Sequence, residues 1–390
     1  MTRVLSIHPF DRALSNPPQG SPLESIARHI EYKKGLDYYG IITRSLASDP
    51  KLSYSPVQNM DVIPTNSRNR YWFMWDAYRL ACRIIEEKDI DVITTWGCDW
   101  IGLIQIILRK KYKIPINVQL HWEFVSNPYF KRERIEYRLW DAVGRYVLPR
   151  ADTYFVGTSK EKMDLIKYGI DEDRIFHTPF TILTDKFEVG CPARIRSELK
   201  LKGFDNVLLW VGRLVKQKDI VTLLKAAALV FKKKPNTALV LLGDGPERKL
   251  VERTIHDLQI ADSIIMPGFL SQQECINYYH SADVVCMSSL YEGTCRTFLE
   301  GMAAAKPIVT TDVAGAFDAV IEGKTGYVVA KKHSENMAQA ILKLLNNPVM
   351  AKEMGQAGKE LLHQQFTMER HYKGFINMWN ETKRLGIKQR

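Results

Sequence analysis

Residues 288–315 of this chain read SSLYEGTCRTFLEGMAAAKPIVTTDVAG. The stretch begins at the end of one apolar run, residues 284–288, and continues into a second, residues 307–310, which predicts a helix between two buried strands. Glu292 lies just after the first strand, and Glu300 lies a turn or two into the helix. Both carboxylates can therefore face one ligand at the helix N-terminus, where unpaired backbone N–H groups favour an anion. A phosphate that links two sugars fits that description.

Short apolar runs alternate with helical patterns along the whole chain, which predicts parallel sheets built from strand–helix–strand units. A length of 390 residues is too great for one ordinary core and suits two domains. We therefore expect an α/β protein with two Rossmann-like domains. The predicted strands are residues 4–7, 39–43, 92–95, 116–121 and 153–158 in the first half, and residues 207–212, 238–243, 263–266, 284–288 and 307–310 in the second.

The pattern changes at residues 181–202, where the sequence passes through TDKFEVGCPA and a short helical stretch before the next buried strand. We expect a first domain over residues 1–190 and a second domain over residues 191–367. Residues 368–390 are predicted to form one helix. Its large apolar side chains recur at helical spacing: Tyr372, Phe375, Met378 and Trp379.

The composition is that of a soluble globular protein, with 45% hydrophobic and 25% charged residues. No apolar run approaches the roughly 20 residues that span a bilayer. Residues 1–10 read as a strand rather than as a signal peptide, so we expect the protein in the cytoplasm. The six cysteines form no C-x-x-C pair, which favours reduced thiols without structural zinc. They are Cys82, Cys98, Cys191, Cys275, Cys286 and Cys295.

The net charge of +11 is unevenly distributed along the chain. Residues 101–150 contain ten Lys or Arg residues and four acidic residues, so this segment alone carries +6. Aromatic side chains interleave with these cations between residues 129 and 146, a pattern that suits a surface attracting anionic lipid headgroups. The same charge would attract nucleic acid, but no nucleic-acid-binding module is readable. We expect peripheral contact with the inner face of an anionic membrane and no nucleic-acid partner.

Cations follow another of the predicted strands. Arg213 comes directly after the strand at residues 207–212, and Lys218 begins the next helix. Ligands bind at the C-terminal edge of open parallel sheets, and two cations there suit a diphosphate. In the first half, His121 ends the strand at residues 116–121 and so lies at the corresponding edge of that sheet. A core histidine hydrogen-bonded to backbone is the alternative for His121.

The two carboxylates and their context closely resemble the glutamate–seven–glutamate signature of retaining GT-B glycosyltransferases in the large group 1 (family 4-like) family. The resemblance implies two Rossmann-like domains whose parallel sheets face a central cleft, with the C-terminal helix crossing back to the first domain. It also implies that Glu292 holds hydroxyls of the donor sugar and that Glu300 holds the nucleotide ribose. The intervening backbone amides would bind the diphosphate, at Gly293, Thr294 and Cys295.

This chain departs from the commonest family pattern inside the acidic element. Many relatives have Phe-Gly where this chain has Thr294-Cys295, a change that leaves the backbone amides available but alters the wall of the sugar pocket. Arg296 follows, and it is interpreted either as a third phosphate partner or as an outward-facing helix residue. We include it among the donor-binding candidates.

Two other motifs in the second half carry the same resemblance. Arg213 and Lys218 match the family's G-R-x-x-x-x-K element, whose cations neutralise the leaving nucleoside diphosphate. Gly243 opens the Gly-Asp-Gly-Pro turn that follows this element at the family's interval. Phe269 and Leu270 come where the family's backbone reads the nucleotide base, so they are predicted neighbours of the base, with ordinary packing as the alternative.

The first half matches the family less closely. The resemblance implies that His121 contacts the donor sugar, as a positioning residue. It also places Gly20 in the first strand–helix connection, which is glycine-rich in the family and lies close to the donor phosphate. The first domain would select the acceptor.

By resemblance, the reaction moves a sugar from a nucleoside diphosphate to an acceptor hydroxyl with retention of the anomeric configuration. No carboxylate can be assigned beneath the anomeric carbon, so we expect front-face substitution, without a covalent intermediate. We expect no cofactor and no metal, and the resemblance together with the basic charge suggests a glycan or lipid-linked acceptor. The alternatives are a nucleotide-sugar 2-epimerase, a phosphorylase and a catalytically silent nucleotide-sugar binding protein. Glu292 and Glu300 with Arg213 and Lys218 favour transfer.

Overall fold

A computed structural model describes residues 1–8, 14, 24–69, 71–121, 127–187, 201 and 203–388 of the chain. The chain divides into two compact units. Unit 1 comprises Met1–Gly157, Glu161–Thr178 and Glu369–Arg390, and unit 2 comprises Thr158–Lys160 and Pro179–Met368.

Unit 1 is built on a seven-stranded sheet with the order β3-β2-β1-β4-β5-β6-β7, in which all neighbouring strands are parallel. Its strands are almost wholly buried, as expected when helices cover both faces of a parallel sheet. The strands are β1 (Thr2–His8), β2 (Leu36–Thr43), β3 (Met60–Pro64), β4 (Val92–Trp96), β5 (Ile116–Leu120), β6 (Thr153–Val156) and β7 (Ile175–His177). The helices in this part of the chain are α1 (Glu24–Lys34), α2 (Phe73–Lys88), α3 (Trp100–Tyr112), α4 (Pro128–Glu133), α5 (Ile135–Val147) and α6 (Ser159–Lys167).

Unit 2 is built on a six-stranded parallel sheet with the order β10-β9-β8-β11-β12-β13. Large side chains that are fully buried, such as Trp210 and Phe298, fill the core between this sheet and its helices. The strands are β8 (Asn206–Val211), β9 (Thr237–Leu242), β10 (Ile264–Gly268), β11 (Val284–Met287), β12 (Ile308–Thr311) and β13 (Gly326–Val329). The helices are α7 (Ile220–Lys233), α8 (Arg248–Asp257), α9 (Gln272–Ser281), α10 (Arg296–Ala303), α11 (Ala316–Ala319), α12 (Ser334–Leu345) and α13 (Pro348–Gln365).

The last helix, α14 (Met368–Lys388), packs on unit 1. Nε2 of His371 lies 2.6 Å from the hydroxyl of Tyr32, and the rings of Phe375 and Phe155 have centroids 4.5 Å apart. Trp379 is completely buried in the same cluster. The apolar spacing noted in the sequence therefore corresponds to the face that covers the first sheet. Among the helices that the structure describes, none combines the length and the apolar character that a membrane span requires.

The prediction of an α/β chain with two Rossmann-like, parallel-sheet domains is confirmed. All ten predicted strands have a counterpart in the structure. Sequence analysis missed β3, β7 and β13, which are all edge strands. An edge strand pairs on one side only, so its sequence carries a weaker signal: β7 has three residues, and β3 ends in Pro64, which lacks an amide N–H.

Candidate active site

The strand order of unit 2 reverses between β8 and β11, which are hydrogen-bonded neighbours in the middle of the sheet. The connections that leave these two strands diverge, and the resulting crevice at their C-terminal ends is the usual ligand site of such sheets. Arg213 follows β8, and Glu292 follows β11. The topology therefore brings the predicted cations and carboxylates of the second half to one edge.

Lys218 and Glu292 form an ion pair at this edge, with Nζ of Lys218 lying 2.5 Å from Oε1 of Glu292. The side chains are only 15% and 10% exposed, so the pair is largely shielded from water. Burial lowers the pKa of Lys218, but the raising influences, led by the charge of Glu292 and including its hydrogen bond, together exceed it, so the net pKa lies above the ordinary value of 10.5. Lys218 is therefore a permanent cation.

Three hydrogen bonds hold the segments that carry this ion pair. The side-chain amide of Gln217 donates to the carbonyl oxygen of Tyr291 at 2.8 Å, and the amide of Leu290 donates to the carbonyl oxygen of Gln217 at 2.8 Å. The hydroxyl of Ser288 donates to the carbonyl oxygen of Lys218 at 2.9 Å. The turn at Lys216–Lys218 and the loop after β11 thus form one unit, which fixes the two charged groups relative to each other.

Arg213 is exposed, and among the residues that the structure describes its guanidinium forms no ion pair. Its charge lowers the pKa of Lys218, although less than Glu292 raises it, so the two cations share one electrostatic environment. An exposed arginine beside a buried lysine suits the neutralisation of an incoming diphosphate. The structure therefore brings Arg213, Lys218 and Glu292 together.

Gly243 supports the Arg213 loop through its backbone. Its φ is 130°, a conformation that side chains disfavour, and a Cβ on it would collide with the carbonyl oxygen of Gly212. The amide of Gly243 donates to the carbonyl oxygen of Gly268 at 2.8 Å. The glycine is thus required for close packing of the loops that follow β8, β9 and β10.

Both carboxylate oxygens of Glu300 are engaged within unit 2. The hydroxyl of Tyr279 donates to Oε2 at 2.8 Å, and Nε of Arg296 donates to Oε1 at 2.8 Å. Burial, and then the Glu300 charge, raises the pKa of Tyr279 well above 10, so its hydroxyl keeps the proton that it donates. Sequence reasoning missed Tyr279. It lies on α9, a different helix from Glu300, and nothing in the local sequence indicates the contact.

Arg296 is the first residue of α10. It lies one helical turn before Glu300 and pairs with that carboxylate, while its side chain stays 40% exposed. Arg296 remains a predicted donor-binding residue.

The N-terminus of α10 has the features of an anion site. The N-cap is Cys295, whose side chain makes no capping hydrogen bond to the first turn. Burial raises the pKa of the Cys295 thiol to about 12, so the thiol stays protonated and is not a nucleophile. Gly315 packs so close to the carbonyl oxygen of Gly293 that a side chain would not fit there. The backbone from Gly293 through Thr294 to Cys295 is therefore fixed beside the β11 edge.

Phe269 and Leu270 follow β10 at the edge of the same sheet. Phe269 is 85% exposed, so ordinary core packing does not explain it. Leu270 is partly buried and packs on the core of unit 2. Their contact with a nucleotide base stays a prediction.

His121 lies in unit 1, directly after β5 and beside the aromatic rings of Trp96 and Phe155, at centroid distances of 4.5 and 5.2 Å. Nε2 of His121 is 3.2 Å from the side-chain oxygen of Gln119. Burial lowers the pKa of His121 to about 3, so its imidazole is neutral at physiological pH. A neutral imidazole can position a hydroxyl by hydrogen bonding. Gly20 lies outside the described residues.

Two family models match the chain. Residues 193–361 match the model described as glycosyl transferases group 1, and residues 36–182 match the model described as Glycosyltransferase Family 4. The first match contains the whole crevice of unit 2. The second covers most of the strands of unit 1.

Among curated proteins, the chain is similar to the alpha-D-kanosaminyltransferase of Streptomyces kanamyceticus, with 25% identity over 64% of this chain and 66% of that protein. Two further relatives are a D-inositol 3-phosphate glycosyltransferase of Pseudarthrobacter chlorophenolicus and a poly(ribitol-phosphate) alpha-N-acetylglucosaminyltransferase of Staphylococcus aureus. The chain spans between 53% and 66% of the length of these three proteins.

Solved structures match over nearly the whole chain. The sucrose-phosphate synthase of Thermosynechococcus elongatus aligns with a TM-score of 0.81 at 19% identity, over 97% of this chain and 98% of that one. Anabaena HepE in complex with UDP-glucose aligns with a TM-score of 0.71 at 16% identity, over 96% and 98% of the two chains. At such identities these likenesses establish the fold. Taken with the two family models, they show that the chain belongs to the group 1 glycosyltransferases of the GT-B fold.

Proposed function

We propose that this protein transfers a sugar from a nucleoside diphosphate sugar to an acceptor hydroxyl, with retention of the anomeric configuration. The observation that carries the proposal is the Lys218–Glu292 ion pair beside Arg213 at the C-terminal edge of the unit 2 sheet, with Glu300 on the helix that begins at that edge. Two cations, two carboxylates and the N-terminus of α10 match the parts of such a donor.

Each part of the donor has a partner in this arrangement. The diphosphate lies against Arg213, Lys218 and the first amides of α10. Glu300, held by Tyr279, accepts hydrogen bonds from the ribose hydroxyls, and Glu292 accepts them from the sugar. Because Lys218 already pairs with Glu292, the pair links the sugar-binding carboxylate to the phosphate-binding cation.

The chemical step is front-face substitution. The acceptor oxygen forms a bond to the anomeric carbon on the side from which the diphosphate leaves, and the acceptor proton passes to the departing phosphate oxygen. Negative charge grows on the diphosphate as the bond to the anomeric carbon breaks. Lys218, held by Glu292, and the amides of α10 are in place before the reaction, and together with Arg213 they stabilise that charge, which lowers the barrier.

The acceptor side of the proposal rests on unit 1. His121, as a neutral imidazole at the C-terminal end of β5, positions the donor sugar or the incoming hydroxyl. The basic charge of residues 101–150 favours a lipid-linked or polysaccharide acceptor. It also favours peripheral attachment to the inner face of the cell membrane.

The experiment that tests the proposal is a panel of nucleotide sugars, read by thermal shift and by slow hydrolysis of the donor. UDP sugars come first, because the solved HepE complex holds UDP-glucose, and GDP and ADP sugars follow. Stabilisation and hydrolysis with one donor, both lost in Glu300→Ala, would support a transferase and give its sugar.

Other outcomes of the same panel have defined meanings. Release of an epimerised sugar without an acceptor would replace the transferase with a 2-epimerase. Activity that depends on inorganic phosphate would replace it with a phosphorylase. If no nucleotide sugar stabilises the protein, the transferase proposal fails.

A further inference from the structure

Helix α5 in unit 1 has two apolar faces, and one of them is exposed. Gly144 and Val147 point into the unit, where Gly102 of α3 lies in close contact with Val147. On the opposite side, Ile135 is 80% exposed, Leu139 53% and Tyr146 44%. These three residues have the spacing i, i+4 and i+11, which places them on one face of a helix. Ala142, also exposed, falls between them.

Arginines line one flank of this exposed face. Arg138 and Arg145 each precede an apolar residue of this face, so they follow it along the helix, and Arg134 lies directly before the first helical residue. All three are exposed. Arg145 pairs with Asp141 at 2.9 Å, and Nη1 of Arg134 lies 3.9 Å from a carboxylate oxygen of Glu136. Within the described part of the chain, Arg138 forms no ion pair.

A basic depression adjoins the same flank. Helices α4 and α5 border an open surface cavity of about 490 Å³ that is lined by Pro128, Lys131, Arg132, Arg138 and Asp141. Three cations face one carboxylate there. Nζ of Lys131 is 3.7 Å from Oδ2 of Asp141, which is a weak contact. The same carboxylate oxygen forms the ion pair with Arg145. The cavity therefore keeps an excess of positive charge and suits a phosphate group.

We propose that the exposed face of α5 lies on an anionic phospholipid bilayer. Ile135, Leu139 and Tyr146 enter the boundary between headgroups and acyl chains, Arg134 and Arg138 contact lipid phosphates, and the cavity between α4 and α5 receives one headgroup. This inference specifies the surface for the membrane attachment proposed above. Apolar side chains flanked by cations on one helix face are what such a surface attracts.

The charge on this helix decides between the partners that an apolar stripe could serve. A second copy of the chain docked through the same stripe would bring two rows of arginines together, and that repulsion opposes a symmetric dimer. An uncharged partner would leave the arginines and the basic cavity without a role. A bilayer rich in anionic lipid satisfies the apolar side chains and the cations at once.

The test is flotation of the full chain with vesicles of phosphatidylcholine alone and of phosphatidylcholine containing about one-third phosphatidylglycerol. We expect binding to the anionic vesicles only. The double variant Arg134→Glu, Arg138→Glu should lower the partition coefficient at least about tenfold, because each cation near the surface contributes on the order of fivefold.

The matched control is Lys232→Glu, Lys233→Glu at the exposed end of α7 in unit 2, which changes the net charge by the same amount. This control should bind as the wild type does. Equal losses in both variants would mean that overall charge alone drives binding, and unchanged binding of the α5 variant would overturn the proposal.

A second variant tests the apolar part. Ile135→Ser, Leu139→Ser keeps every charge and should still lower binding to anionic vesicles several-fold, since it removes the side chains that enter the bilayer. Both residues are exposed, so the fold should persist, and circular dichroism checks this. Unchanged binding of this variant would reject insertion.

Donor binding separates this inference from the proposed activity. The α5 variants should bind the nucleotide sugar as the wild type does, because the proposed diphosphate and ribose contacts lie in unit 2 and none of the changed residues is a donor-binding candidate. A protein that binds donor but no vesicle would overturn the membrane surface and leave the transferase intact. A protein that binds vesicles but no nucleotide sugar would overturn the transferase proposal and leave the membrane surface intact.

Discussion

The hydroxyl of Tyr279 donates a 2.8 Å hydrogen bond to Oε2 of Glu300, and Tyr279 itself is completely buried. The tyrosine lies on α9 and the carboxylate on α10. Glu300 is therefore held in one orientation by a residue that has no access to solvent. In the proposed reaction, Tyr279 is a positioning residue that acts on the donor through this carboxylate.

Tyr279→Phe should weaken donor binding about tenfold, because a hydrogen bond to a charged group contributes on the order of 1.5 kcal/mol. The change removes one oxygen atom and keeps the ring, so the core packing persists. Calorimetric titration with the donor measures the effect, and the turnover number at saturating donor should change much less. Tyr278→Phe is the control: Tyr278 is the neighbour of Tyr279 in sequence, and among the described contacts its hydroxyl makes no hydrogen bond to Glu300. Equal affinities in the wild type and Tyr279→Phe would contradict the role.

The ion pair between Lys218 and Glu292 should show strong coupling in stability. Lys218→Met leaves a carboxylate that is 10% exposed without its cation, which should cost about 3 kcal/mol of the free energy of unfolding or more. Adding Glu292→Gln removes the uncompensated charge and should restore much of that loss. Urea unfolding of the four proteins in the cycle measures this coupling. Purely additive losses would show that the pair is not formed in solution.

Turnover should respond differently from stability in the same variants. Lys218→Met and the double variant should both lose the chemical step, because each lacks the cation that stabilises the leaving diphosphate. Lys216→Met, two residues earlier and exposed, should turn over normally. Normal turnover by Lys218→Met would count against the assignment.

Gly243→Ala should disrupt the loop that carries Arg213. The new Cβ would collide with the carbonyl oxygen of Gly212, so the loop must move, at a cost of about 3 kcal/mol or more in stability. Gly323→Ala is the matched control: its φ is also positive, at 70°, but open space surrounds its Cβ position. The control should cost only about 1 kcal/mol. Thermal unfolding and donor titration compare the two variants. Equal losses of stability and donor affinity in both would rule out the close contact between Gly243 and the carbonyl oxygen of Gly212.

The buried histidine of β1 should make the fold sensitive to acid. Burial, together with the charge of Arg28, lowers the pKa of His8 to about 3 from 6.5, so the unfolded chain binds a proton that the folded chain does not. The contribution of His8 to stability is complete above about pH 6.5 and is lost as the pH falls towards 3. At pH 5 the loss should be about 2 kcal/mol.

Urea unfolding at pH 7 and pH 5 measures this loss as a difference within each protein. His8→Gln should reduce the difference in unfolding free energy between pH 7 and pH 5, whatever its effect on stability at pH 7. His256→Gln should leave it unchanged, since the His256 side chain is 91% exposed. An identical pH dependence in His8→Gln and the wild type would show that His8 does not stay neutral in the fold.

Local sequence patterns determined the fold class and the positions of the site segments. Short apolar runs between helical stretches define parallel sheets, and the residues after a strand must lie at the C-terminal edge, so Arg213 and Glu292 could be placed before the structure was known. The edge strand β3 was missed because strands paired on one side have weaker patterns. The partners of individual side chains were harder still to predict from sequence. The spacing of Arg296 and Glu300 allowed an ion pair but did not require one.

The remaining features depend on contacts between segments that are distant along the chain. Lys218 reaches Glu292 across 74 positions of sequence, and Tyr279 reaches Glu300 from another helix. The pattern of α5 shows two apolar faces, yet only the packing of α3 and α4 decides which of them stays exposed. Sequence alone determined which chemical groups this protein has and at which sheet edge most of them lie. The tertiary structure decided which groups pair and which remain open to a ligand or a membrane, because pairing and exposure depend on how separate segments pack.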